Sequence, residues 1–153
     1  MVDGKMKQVI YEIVTNKALQ VGFVSWFIAQ CLKIIITFFV SHQIDFRKFI
    51  SSGGMPSSHS AFACGLSTAV GFIDGFSSTS FAISLTFTLI VMYDAAGVRR
   101  EAGKQAQTLN ELIEMYFSPH YKPQHKLKEL IGHKPTEVFV GALLGILIAT
   151  IMI

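Results

Sequence analysis

The chain has 153 residues, of which 51% are hydrophobic and only 15% charged, with a formal net charge of +3 and a mean hydropathy of +0.48. That is the balance of an integral membrane protein and not of a water-soluble domain. No nucleic-acid partner is expected.

Read from the N-terminus, residues 18–40 form the first long apolar block, interrupted by a few polar residues and one charge, Lys33. It is long enough for the roughly 20 residues that cross a hydrocarbon core. A cleaved signal peptide fits poorly, since the block starts late, is too long for an h-region and lacks a small-residue cleavage site. The second block, residues 60–73, is short, but no Asp, Glu, Lys or Arg occurs from Phe49 to Ile73, so a span beginning near Pro56 is expected. Residues 75–93 and 138–153 complete the set. Cys31 and Cys64 lie inside these blocks and read as small core residues, which leaves the redox compartment open.

The expectation is therefore an all-α polytopic membrane helix bundle in a single domain over residues 1–153, with about four transmembrane helices near 18–40, 56–73, 75–95 and 136–153. The polar connector 99–135 contains Leu109, Leu112, Ile113, Tyr116 and Phe117 at helical spacing before Pro119, the pattern of an amphipathic helix on the membrane or on the bundle. Four spans place Lys5, Lys7 and Lys17 on one side. Arg47, Lys48, Arg99, Arg100, Lys104, Lys122, Lys126, Lys128 and Lys134 fall on the other. Nine cations against three predict that the second side is cytoplasmic.

Two stretches have the same physical form. Gly53-Gly54-Met55-Pro56-Ser57-Ser58-His59-Ser60 runs into the second span, and Gly132-His133-Lys134-Pro135-Thr136-Glu137 runs into the fourth. Each sets a histidine at a helix N-terminus, where unpaired backbone N–H groups and the positive end of the helix dipole favour an anion. Both starts fall on the cation-rich side, so His59 and His133 are placed to face one phosphate. A lysine within an apolar block costs about 2.5–3.5 kcal/mol to insert, so Lys33 is expected to have a partner or a task. Asp94, at the end of the third block, has Arg99, Arg100 and Lys33 as candidate partners. His42, His120 and His125 lack such a context, although His120, His125 and Glu129 together spell an alternative metal site. Gly141 and Gly145 form a small-residue face suited to close helix packing.

Pro56-Ser57-Ser58-His59 resembles the second signature of the type 2 phosphatidic acid phosphatase and vanadium haloperoxidase superfamily. His133-Lys134-Pro135-Thr136-Glu137-Val138, followed by Gly141-Ala142-Leu143-Leu144-Gly145, resembles the end of its third. Together with Asp94-Ala95-Ala96-Gly97-Val98-Arg99-Arg100, these are most similar to a divergent bacterial and plant branch, over residues 18–153. The resemblance implies a membrane phosphatase that needs no metal or other cofactor and hydrolyses a lipid phosphate monoester. His133 would be the nucleophile that becomes phosphohistidine, Glu137 its orienting carboxylate, and His59 the general acid. Ser57 and Ser58 would hold phosphate oxygens through their backbone N–H groups. Arg99 or Arg100 would stand for the third-signature arginine, and Lys33, ahead of Arg47 and Lys48, for the first-signature lysine. The chain departs from the usual pattern in the long interval between Arg100 and His133, in the absence of the first signature as such, and in Ser58 and Glu137 replacing Gly and Asp.

The expected partners are a lipid-phosphate substrate, membrane lipids and a second copy of the chain completing a larger bundle. A cytoplasmic site favours an inner-leaflet substrate such as phosphatidic acid or phosphatidylglycerophosphate. The rival readings are a catalytically inactive anion-binding protein and a small transporter component.

Overall fold

A computed structural model describes residues 2–41, 54–116, 127 and 132–153, and among them every regular element is helical. The order is α1 (Val2–Thr15), α2 (Lys17–Ser41), α3 (Ser58–Asp74), α4 (Thr79–Tyr93), a π-helical turn (Asp94–Val98), α5 (Arg99–Tyr116) and α6 (Pro135–Met152). Among the described residues, three stretches are long and apolar enough to cross a membrane: Lys17–Phe39, Thr79–Ile113 and Pro135–Met152. The protein is an all-α membrane helix bundle. Helix α3 packs against α2, α4 and α6 at once.

Local chemistry sets the boundaries. Asn16 separates α1 from α2, and its side-chain oxygen accepts the Leu19 N–H at 3.0 Å in an N-cap. Ser57 caps α3 and Ser78 caps α4, each accepting from an N–H three residues on. The third span was expected from residue 75. The helix instead starts at Thr79, because Gly75 adopts a φ of +92° and Ser78 supplies the cap. Pro135 occupies the first turn of α6, where its missing N–H costs nothing.

The core is built from small residues. Ala29, Ser25, Ser57, Ser60, Ala61, Ala69 and Ala149 are fully buried, while large aliphatic and aromatic side chains cover the outside. Lipid is as apolar as leucine, so helices in a membrane gain from close backbone approach and not from hiding bulk. The α3–α6 crossing shows this plainly. A Cβ on Gly141 would strike the Ser57 carbonyl, and one on Gly145 would strike the Ala61 carbonyl. Gly141 and Gly145 are thus spent on packing inside the bundle.

Helix α1 has no counterpart in the expected set. Met6, Val9, Ile10 and Ile13 follow helical spacing and are exposed, with Lys7, Gln8 and Glu12 between them. The amphipathic connector helix is present as α5, beginning at Arg99. The side chain of Asn110 holds the connector by pairing with the backbone of Leu127, donating to its carbonyl at 2.9 Å and accepting its N–H at 3.1 Å.

Candidate active site

The N-terminal ends of α3 and α6 are locked together by backbone. The Ser57 N–H donates to the Glu137 carbonyl at 2.9 Å, and the Ser57 carbonyl accepts Ala61 N–H at 3.0 Å beneath Gly141. Ser57 is fully buried, and its hydroxyl oxygen also accepts from the Ser60 hydroxyl at 3.1 Å. Its N–H is therefore committed to joining two helices and is not available to an anion. That part of the expectation for Ser57 gives way to a structural role. The first-turn N–H groups left without an intrahelical acceptor are those of Ser58 and His59.

This junction brings the two histidines together. The rings of His59 and His133 lie 6.2 Å apart between centroids, inclined at 63°. His133 is buried. Its Nδ1 lies 3.0 Å from a carboxylate oxygen of Glu137, which also accepts the Lys134 N–H at 3.2 Å in the manner of a capping box. An ionised carboxylate only accepts, so in the neutral ring the proton sits on Nδ1 and the lone pair on Nε2. That Nε2 is buried and has no hydrogen-bond partner among the described residues. A buried polar atom left unpaired is costly, and such atoms collect at functional sites.

The interval between Arg100 and His133 closes in space. The His133 N–H donates to the Ala95 carbonyl, in the π turn, at 3.0 Å. Gly132, with φ +108°, lies so close to the α4–α5 junction that a Cβ would sit 2.6 Å from the Arg100 nitrogen and 2.9 Å from the Arg99 carbonyl carbon. The extra residue of the π turn sets the register there. The Arg99 N–H reaches back to the Asp94 carbonyl, five residues earlier, and the Arg99 Nε donates to the Asp94 carboxylate at 2.7 Å. Such turns inside α-helices occur frequently at functional sites.

Asp94, Arg99, His59 and His133 line one cavity of about 270 Å³, floored by Phe87 and Val91. Arg100 does not line it. Its side chain is exposed, and its backbone supports Gly132. Lys33 is almost wholly buried, at 1% exposure, so it does not reach out to water. Its aliphatic stem runs beside Gly54, and its charge acts on both histidines. Ser58 is buried at the start of α3. Arg47, Lys48, His42, His120, His125 and Glu129 lie outside the described residues.

Burial pushes the His133 imidazole below its usual value of 6.5. The bond to Glu137 and the carboxylate's charge oppose that shift, and the cations Lys33 and Arg99 add to it. The balance favours a neutral ring at neutral pH.

Residues 14–148 match the sequence pattern described as the Divergent PAP2 family. The chain belongs to that family. It is also 41% identical over 152 residues to the Uncharacterized membrane protein YuiD of Bacillus subtilis (strain 168), covering 92% of this chain and 96% of the relative. No solved structure matches. Membership of the divergent PAP2 family makes this a phosphatase-related membrane protein.

Proposed function

We propose that this divergent PAP2 protein hydrolyses a lipid phosphate monoester through a phosphohistidine on His133. The observation that carries the proposal is the buried Nε2 of His133, without a partner among the described residues, its Nδ1 tied to Glu137, in a cavity shared with His59 and Arg99. Nε2 attacks phosphorus as the bond to the alkyl oxygen breaks, and His59 gives its proton to the departing alkoxide. Water then attacks the phosphohistidine, His59 takes its proton, and phosphate leaves with His133 restored. Phosphoryl transfer asks mainly for positive charge around the three equatorial oxygens. Arg99, Lys33 and the first-turn N–H groups of Ser58 and His59 are the groups placed to supply it. Asp94 holds the arginine in position. The cavity offers cations and imidazoles, with its one lining carboxylate already paired to Arg99, so hydrolysis is expected to resist EDTA and to be inhibited by vanadate.

The experiment is phosphate release from a panel of lipid phosphates by the purified protein. Release from no lipid, with vanadate still bound, would instead support an anion-binding protein.

The pH dependence carries a sign. Neutral His133 is the reactive form, so kcat/KM falls as pH drops through its lowered pKa. Glu137→Gln removes an influence that raises that pKa. The acid limb of kcat/KM should therefore move to lower pH in the variant even as the rate falls, because the ring loses its orienting partner. Substrate phosphate, with a second ionisation near pH 6, contributes equally to both profiles, so the difference between them is the readout. An acid limb that stays in place or moves up would remove Glu137 from this role.

The excess of Lys and Arg on the side that carries the site supports a cytoplasmic orientation. A single cysteine at Lys134, in a chain with Cys31 and Cys64 replaced, should react with an impermeant maleimide only after the membrane is opened. Reaction in intact cells would put the site outside.

A further inference from the structure

A second cavity, of about 520 Å³, runs along α3 between α2 and α4, within the range of about 300–1,000 Å³ common for ligand clefts. It shares His59, Phe87 and Val91 with the histidine cavity, so the two adjoin along the same residues. From there the walls pass Phe62, Ala63 and Leu66 on α3 and reach Ser80 at the start of α4. Along α4, Ser80 to Val91 spans about 16 Å at 1.5 Å per residue.

The Ser84 and Thr88 hydroxyls on this path are already satisfied. The Thr88 hydroxyl lies 2.8 Å from the Ser84 carbonyl and 3.0 Å from that of Ala63, and the Ser84 hydroxyl donates to the Phe81 carbonyl at 2.9 Å. The middle of the groove therefore presents mainly carbon, from Phe62, Ala63, Leu66, Ile83 and Phe87. Ile83 and Phe87, which also line it, are exposed on the outer flank of α4.

We propose that this groove seats one acyl chain of the lipid whose phosphate occupies the histidine cavity. The inference rests on the phosphatase reading and adds a specificity element to it. The two cavities divide the substrate by chemistry, with cations and imidazoles at the mouth and apolar wall below. A lipid lying in the bilayer enters sideways past the uncovered flank of α4, headgroup and chain together. Ser80 stands at the far end, at the start of α4, away from the reacting groups.

The test uses the full-length protein in detergent or nanodiscs with two phosphatidic acids, one with short acyl chains and one with long. Ser80→Trp should lower kcat/KM for the long-chain lipid by about tenfold, the value of a few buried methylenes, and leave the short-chain lipid within about twofold. Ser84→Phe, which fills the middle of the groove, should do the same at shorter chain length. Equal effects on both lipids, or none on either, would overturn the groove while leaving the phosphatase intact. If the protein releases no phosphate at all, a phosphatidic acid carrying a diazirine at its chain terminus still decides the matter. It should label peptides around Ser80 and Leu66 in the wild type, and Ser80→Trp should abolish that label. Label spread evenly over the outer faces of α4 and α6, or disulfide-linked dimers through Ile83→Cys with no lipid label, would assign the groove to bulk lipid or to a second copy of the chain.

Discussion

His133→Ala is expected to abolish phosphate release, by a factor on the order of 10⁴ or more, while the protein remains folded. The size follows from its role. A general acid helps a bond to break, but a nucleophile is a bonding partner in both steps, so nothing remains to accept the phosphoryl group. The fold should tolerate the change, because the ring makes one side-chain hydrogen bond, to Glu137, and that carboxylate keeps its bond to the Lys134 N–H. The backbone bond from residue 133 to Ala95 survives in alanine as well. Thermal stability and vanadate binding should be measured alongside, since a collapsed junction would lose both. Full activity in His133→Ala would exclude the phosphohistidine step.

His59→Ala should show a different signature. General acid catalysis is worth about 10²–10⁴ in rate, and its value depends on how poor the leaving group is. An alkyl phosphate, whose alkoxide must be protonated as it departs, should lose that full factor. An aryl phosphate with an acidic phenol needs little help and should lose far less in the first step, so that phosphoenzyme accumulates when His59 is no longer present to activate water. Equal losses on both substrates would mean that His59 orients the phosphate and does not protonate the leaving group.

Much of this was legible in the amino-acid order because membrane residence imposes simple constraints. Residues 18–40 read as a helix for want of alternatives, since backbone in hydrocarbon must satisfy itself. His59 and His133 were marked by the helix starts around them, Ser57 and Pro135, which are local signals. Helix α1 was missed because its stripe of Met6, Val9, Ile10 and Ile13 is broken by charges and falls short of a span, although the 3.6-residue period was there to be read. The π turn was hidden for a different reason. Asp94-Ala95-Ala96-Gly97-Val98 continues an ordinary helical pattern, and the inserted residue becomes visible only in the five-residue reach from Arg99 to Asp94. Which arginine serves the site depended on that register, and so did the closing of the long interval by Gly132. Lys33 could be flagged by its cost in an apolar block, but that it is shielded from water is a property of packing. The commitment of the Ser57 N–H to Glu137 was likewise beyond local reading, because it joins residues 80 positions apart.

The central claim is that His133 carries the phosphoryl group, and direct trapping tests it. The protein is mixed with an aryl phosphate labelled at phosphorus, quenched in alkaline denaturant and digested. His59→Ala serves to build up the intermediate. An acid-labile, base-stable label is expected on the peptide containing His133, absent in His133→Ala. Phosphate release without any such label, or a label on a serine near the start of α3, would contradict it.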